Sequence, residues 1–493
     1  MMSTLQKAGA IASGVLLAWM VWSIAVPLIE RGSGDVDLLL LLAFVGAAVL
    51  LLTAIRPVLV AIIVIGFAFV NPSLIPALAE LGELSFRYID IFYVVLGLGV
   101  LIQITTQRHM PVFWDFRKIF GPLFPFFLYI GISLLSVFFT LPHLFPSCVA
   151  SYLRLIITGL FALLMNLSIV NNDDMKLFHT MFIIFIVASV AIGAWEAWSG
   201  VTTGEVELSG RFNALLGVNA LGLVSGLMVL YAFIKQYSAF LRMRTAILLV
   251  LGLFGLFLAK SAGSVLASAG SIAVYMATVR VERGSTPRVF RWVTIGALTT
   301  IIPALAVSIL RQSDVASFLD ASGGSFAHRL MIADAGLQIF LNHPLLGVGW
   351  HASASAEIIG SPILNAVLMQ SFLKLPTHYF SLEELTSLHN MYIQFLAELG
   401  IAGFILFIRG SFLVGKAVKT ILRNIPTESP YKLWAQFYAL GLVFLLIWWN
   451  TNPLFGGQTE SILAFAFLAA LAAVARLERQ RIGQTDAEIR GIK

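Results

Sequence analysis

The sequence predicts an all-α polytopic membrane protein, and three observations carry that reading. Of its 493 residues, 59% are hydrophobic and only 11% are charged, where a soluble domain carries about 25% charged residues. Mean hydropathy is +0.93. The apolar runs are long and lack the dyad alternation of a membrane β-barrel, so the lipid-embedded backbone must be helical. The one cysteine, Cys148, excludes an intramolecular disulfide and leaves the redox compartment unread. A net charge of +6 would point to nucleic acid in a soluble protein. Here basic cytoplasmic loops account for it, and no nucleic-acid partner is expected.

The apolar runs divide into about fourteen spans, at roughly 8–29, 37–54, 57–79, 88–105, 119–141, 146–170, 176–196, 213–235, 244–259, 262–280, 290–311, 394–417, 432–449 and 458–477. Several are short, and twelve is the alternative number. The first run follows Lys7, is too long for a signal-peptide core and reads as a retained membrane helix. No soluble domain, repeat or low-complexity tract separates, so residues 1–493 read as a single integral membrane domain.

Charge fixes the orientation. With the N-terminus in the cytoplasm and the spans alternating, most of the 31 Lys and Arg residues fall on the cytoplasmic side. They include Arg117 and Lys118, Lys235 and Arg244, Lys416 to Lys432, and Arg476 to Arg481. The outside cations are Arg31, Arg87, Arg211, Lys260, Arg311, Arg329 and Lys374. The largest loop, about 312–393, also lies outside and holds His328, His343, His351, His378 and His389. It contains one helix-like stretch, His328–Leu341. Asn342-His-Pro-Leu-Leu-Gly-Val-Gly349 follows, where proline stops the helix and two glycines allow tight turns. A loop of this length is usually functional or disordered.

Ion-coupled transporters keep ionisable groups near mid-bilayer, and this chain has almost none there. Asp90, Arg154 and Glu196 sit near outer span ends, and Arg409 lies where it can snorkel inward. Polar chemistry therefore concentrates at the outer face, in four elements. Ser209-Gly-Arg211 leads through Gly217 and Asn219 into the eighth span. Lys260-Ser261-Ala-Gly263-Ser264 forms a tight turn. Arg329 precedes the Gly347-Val-Gly349 turn. Finally, His389-Asn390 opens an apolar helix that carries Glu398, Gly400 and Gly403. All four lie at outer helix ends and can converge on one face.

These residues resemble the O-antigen ligase and polymerase family of bacterial envelope glycosyltransferases over about 209–470. The most specific feature is His389-Asn390, nine intervening residues, then Gly400 and Gly403, a full match. Arg329 with Pro344-Leu-Leu-Gly-Val-Gly349 matches well. The upstream motif matches in part: Ala214 stands where the family has glycine, and Val218-Asn219 replaces a proline-asparagine pair. Ser261-Ala262 replaces the usual serine-arginine, with Lys260 as a substitute charge.

The resemblance implies a GT-C-like enzyme of the bacterial inner membrane with its active site facing the periplasm. Its implied reaction moves a glycan from an undecaprenyl-diphosphate carrier to an acceptor hydroxyl. Arg211, Arg329, Lys260 and Arg154 would bind the diphosphate, since guanidinium matches phosphate oxygens with a planar fork. His389 would accept the hydroxyl proton, kept neutral by an apolar, helix N-terminal setting. Direct attack would invert the anomeric carbon. No cofactor is expected. The four outer elements that carry the motif hold no Asp-x-Asp or paired-carboxylate site, so the transfer is expected to be metal-independent. The expected activity is polymerisation of a surface polysaccharide, with the acceptor another lipid-linked repeat. Transfer to a lipid A core is the alternative within the family, and a flippase the alternative of another class.

Each residue also has a plainer reading. His389 can cap or pack at the interface, Arg329 can pair with Asp334 or Asp320, Lys260 can be solvated, and Arg154 can snorkel. Asn219 can serve packing or a local hydrogen bond. Glu398 can orient a cation or the histidine, or be a simple interfacial carboxylate. Gly400 and Gly403 read as small residues that let helices approach.

Overall fold

The computed structural model describes residues 56–69, 77–81, 84–107, 114–199, 218–238, 243–259, 261–278, 325–355, 358, 388, 390–450, 454 and 459–489. The expected spans at 8–29, 37–54 and 290–311 lie outside them. Among the described residues the helices are α1 (Val58–Ala68), α2 (Tyr88–Gln107), α3 (Trp114–Phe120), α4 (Phe124–Thr140), α5 (Phe145–Ser168) and α6 (Asn172–Ser199). Then come α7 (Val218–Ser238), α8 (Met243–Ala259), α9 (Ala262–Thr278), α10 (Ser325–Asn342), α11 (Met391–Asn424), α12 (Lys432–Trp448) and α13 (Thr459–Ile489).

Among the described residues, five helical stretches are long and apolar enough to cross a membrane: Asp115–Thr140, Pro142–Ser168, Asn172–Ser199, Met391–Asn424 and Thr459–Gln484. Six shorter apolar helices accompany them. The chain is thus a multi-pass membrane protein.

Two sequence expectations need correction. The span expected at 57–79 is helical only to Ala68. The chain then forms an antiparallel hairpin, β1 (Ala77–Leu81) with β2 (Leu84–Arg87), pairing Glu80 with Ser85 and Leu81 with Leu84. The fold is therefore not purely α. Pro72 and Pro76 oppose helix continuation, and the two-residue connection Gly82-Glu83 suits a tight hairpin.

Local sequence explains the helix ends. α4 and α5 each carry proline in the first turn, where its missing N–H costs nothing. On α4, Leu128, Ile132, Leu135 and Phe139 are exposed at spacings of four, three and four residues. That stripe suits lipid. The opposite face buries Phe126, Ile130, Ser133 and Val137.

The alanine-rich α13 is the most enclosed span and packs on α5, α12, α3 and α1. Its side chains from Ile462 to Val474 are almost wholly buried. Small residues bring α7, α8, α9 and α12 close. A Cβ added at Gly255 would sit 2.3 Å from Ser225 Oγ, and one at Gly226 2.5 Å from Phe444.

One end of the bundle is basic, and several of its cations close helix termini. Lys432 Nζ donates to the carbonyls of Leu422 (2.6 Å) and Ile425 (2.8 Å) at the end of α11. Arg476 is buried and donates to Asn166 Oδ1 and Asn166 O, both at 2.9 Å, and to Ile169 O, capping α5. Arg56 pairs with Asp174 at 2.7 Å, and Arg479 with Asp115.

Candidate active site

The site is built around a helix that breaks. α11 begins at Asn390, whose backbone is extended and whose Oδ1 accepts from the N–H groups of Tyr392 (2.9 Å) and Ile393 (3.2 Å). This side-chain cap satisfies two of the four orphan donors of the first turn. Asn390 Nδ2 donates in turn to Asn450 O at 2.9 Å, and Met391 N–H donates to Trp449 O at 3.0 Å. The start of α11 is thereby tied to the end of α12. His389 lies outside the described residues. Its neighbour Leu388 is buried.

Ten residues after Asn390, Gly400 adopts φ 63°, ψ −170° and interrupts the helix. In a continuous helix Ile401 and Ala402 would donate to the carbonyls of Ala397 and Glu398. Instead Ile401 N–H donates to Pro344 O (2.9 Å) and Ala402 N–H to Leu345 O (3.4 Å). The vacated carbonyls accept from the loop: Val348 N–H donates to Ala397 O (3.0 Å) and Gly349 N–H to Glu398 O (2.8 Å). The Pro344–Gly349 loop is spliced into the helix, and no backbone group in the exchange is left unpaired.

The splice requires glycine on both sides. Gly347 has φ 68°, and a Cβ there would lie 2.3 Å from the Glu398 carbonyl carbon. A Cβ on Gly400 would lie 2.4 Å from Leu345 O. The expectation that Gly400 is a small packing residue therefore changes: it supplies a backbone turn that other residues adopt only under strain. Gly403 is a packing residue, since its Cβ would meet the Tyr129 ring at 3.0 Å. Tyr129 Oη donates to Leu399 O at 3.2 Å.

Beneath the splice lies a buried polar cluster. Glu398 is 1% exposed. Its Oε1 accepts from Ser353 Oγ at 2.5 Å and its Oε2 from Gln394 Nε2 at 3.2 Å, and the His351 backbone N–H also donates to it. Gln394 pairs with the Leu454 backbone in both directions, accepting from its N–H (3.0 Å) and donating to its carbonyl (3.4 Å). Glu398 is thus neither an interfacial carboxylate nor, among the described residues, the partner of a cation. It clamps the loop after α10 to α11.

Further along, the loop is driven into the bundle. Trp350 is fully buried, its backbone N–H on Ser133 Oγ and its indole N–H on Ser151 Oγ, both at 3.2 Å. His351 holds φ 65°, and burial pushes its imidazole below the usual value of 6.5, which keeps it neutral.

The remaining predicted elements meet this corner to different degrees. Trp448, beside the Trp449–Asn450 anchor, donates its indole N–H to Ser264 Oγ at 3.2 Å, and Ser264 Oγ lies 2.9 Å from Ser261 Oγ. Gly222 of α7 packs on both serines. The Ser261–Ser264 turn, the start of α7, the end of α12 and the start of α11 therefore share one end of the bundle.

α10 packs on α11 through Gly336, whose Cβ would lie 2.5 Å from Ile393 and 3.0 Å from Leu388. Arg329 stands seven residues earlier, two turns along nearly the same side of α10. Of Arg329 and Asn219 only the backbone is described, and Arg211 and Lys260 lie outside the described residues. Arg154 stands three residues beyond Ser151 on α5. Its charge and that of Asp90 both act on Tyr93 of α2, so its described surroundings are on that side.

Gln394, Ser353, His351 and Trp350 were not anticipated. Gln394 and Glu398 carried a signal, as two polar residues four apart on an apolar helix. The others carried none, because their roles depend on where a loop lands.

Residues 247–408 match the O-antigen ligase family. The stretch includes Lys260, Ser261, Arg329, the spliced loop and the whole His389–Gly403 segment. Arg154, Arg211 and Asn219 fall outside it. The chain is also 26% identical over 164 residues to a Rickettsia felis protein named "Putative polysaccharide ligase". That alignment covers 33% of this chain and 38% of the relative, so the chain spans well under half of the relative's length. From the first turns of α8 to the first turns after the Gly400 break, this chain is similar to the O-antigen ligase family.

Proposed function

We propose that the protein transfers a glycan from an undecaprenyl-diphosphate carrier to an acceptor hydroxyl, with the site end of the bundle facing the periplasm. The observation that carries this reading is the splice. It fixes the end of α10 against the first half of α11, and Gly336 of α10 packs on Ile393 and Leu388, which supports a site shared by Arg329 and His389. In the proposed reaction His389 takes the acceptor proton, the acceptor oxygen bonds to the anomeric carbon from the far side, and the bond to the diphosphate breaks with inversion. Arg211, Arg329 and Lys260 neutralise the departing diphosphate, where fixed positive charge helps most. With that charge supplied by side chains, the proposed step needs no metal ion.

Two acceptors remain in view. The departures at Ala214, Val218 and Ala262 leave the acceptor open, and the reading proposed here is a polymerase that adds to another lipid-linked repeat. The names of the matched family and relative favour a ligase onto a lipid A core. A deletion strain complemented with His389→Ala separates them by gel analysis of envelope glycans. Single repeats capped on lipid A would mark a polymerase. Loss of lipid A-linked glycan, with long carrier-linked chains retained, would mark a ligase. Full rescue by the variant would overturn the catalytic role of His389 and leave the flippase reading standing.

A further inference from the structure

A cavity of about 1090 Å³ lies between α11, α12, α9, α4 and α13. It extends from Met391 and Trp449 at the site end to Lys419, Arg423 and Lys432 at the basic end. Its polarity is one-sided. Phe407, Val418, Leu440 and Leu446 line its length, while the cations stand only at the basic mouth, with Thr427 and Gln436 beside them. Among the described lining residues there is no carboxylate.

The three cations are not equivalent. Lys432 is already engaged by two carbonyls that cap α11. Lys419 and Arg423 are exposed and four residues apart, so they project from one side of α11 toward the same point. One turn before Lys419, Gly415 lines the cavity, and a Cβ there would meet nothing within 4 Å. The walls are therefore open where an acyl chain would enter. An apolar slot with a paired positive rim complements an amphiphile with an anionic head. Juxtamembrane Lys and Arg residues attract anionic lipid in this way.

We propose that the basic half of this cavity binds one anionic phospholipid, with its phosphate between Lys419 and Arg423 and its acyl chains along Val414, Val418 and Leu440. The site lies at the opposite end of α11 from its Asn390 cap and does not rest on the proposed glycan transfer.

The test uses the full-length protein reconstituted in phosphatidylcholine vesicles containing a minority of phosphatidylglycerol, then repurified, with retained lipid counted by mass spectrometry. Phosphatidylglycerol should be enriched over the bulk mixture. Lys419→Gln with Arg423→Gln should lower that enrichment roughly tenfold. Gly415→Trp, whose Cβ meets nothing within 4 Å, should reduce retention of both lipids and leave the gel-filtration profile unchanged. Glycerol 3-phosphate should not displace the lipid. Equal retention of the two lipids, or unchanged enrichment in both variants, would overturn the proposal. So would a cross-link from Gly415→Cys to residues 279–324 in vesicles, which would show that the chain itself fills the slot.

Discussion

The two halves of α11 are one element by sequence and two by environment. From Met391 to Gly400 most side chains are buried, and the polar pair Gln394 and Glu398 faces inward to hold two other segments. After Gly400, Ile401, Ile405, Ile408 and Phe412 are exposed at helical spacing and belong to lipid. The first half is a short internal strut and the second a membrane span. The glycine break lets the strut follow the demands of the site while the span follows those of the bilayer.

The largest effect should come from removing the break. Gly400→Val or Gly347→Val must place a Cβ against backbone atoms at a positive φ, costing more than about 3 kcal/mol. Loss of monodisperse protein in gel filtration and a large drop in Tm in detergent would show it. A mild outcome would mean the two halves do not depend on the splice.

Next in size is the polar clamp. Glu398→Ala leaves Ser353 buried without its acceptor and removes one of the two acceptors of Gln394, at about 1–3 kcal/mol. Glu398→Gln, which still accepts from Ser353, should cost less. Equal Tm values for the two variants would deny the clamp its role.

Asn390→Ala should cost about 1 kcal/mol for the lost cap. Asn390→Asp keeps the cap but loses the donor to Asn450, so proteolysis near residues 388–391 should separate the two contributions.

Acidification should act on the loop. The folded His351 imidazole titrates below its unfolded value of 6.5. The unfolded state therefore gains the proton first, and stability is complete above that value and declines as pH falls through it. His351→Gln should flatten the decline in a Tm series from neutral to mildly acidic pH. At the small end, Ile405→Val in the second half should change stability by no more than about 0.5 kcal/mol.

The sequence showed the helices well where they were long and apolar, as in α4, α5 and α6. It failed at 69–87, where an apolar run masked two prolines and a hairpin. It ran α11 straight through Gly400, because a 3.6-residue period continues across a break whose hydrogen bonds are replaced by a distant segment. At the site, the motif pattern named both partners of the splice, Pro344–Gly349 and Gly400, without revealing that they touch. His351, Ser353 and Trp350 were invisible because no local rule says which bundle face a loop will enter.

The four exchanged hydrogen bonds also set where this chain can tolerate changes in length. Residues 344–349 and 397–402 must meet in fixed register, so a single insertion within either would misalign bonds of the exchange. None of the four exchange bonds is made by a residue between Ile358 and Leu388. Extra loop cost grows only with the logarithm of length. Related chains should therefore differ freely in size there, and a reporter domain inserted into that stretch should leave the spliced corner intact.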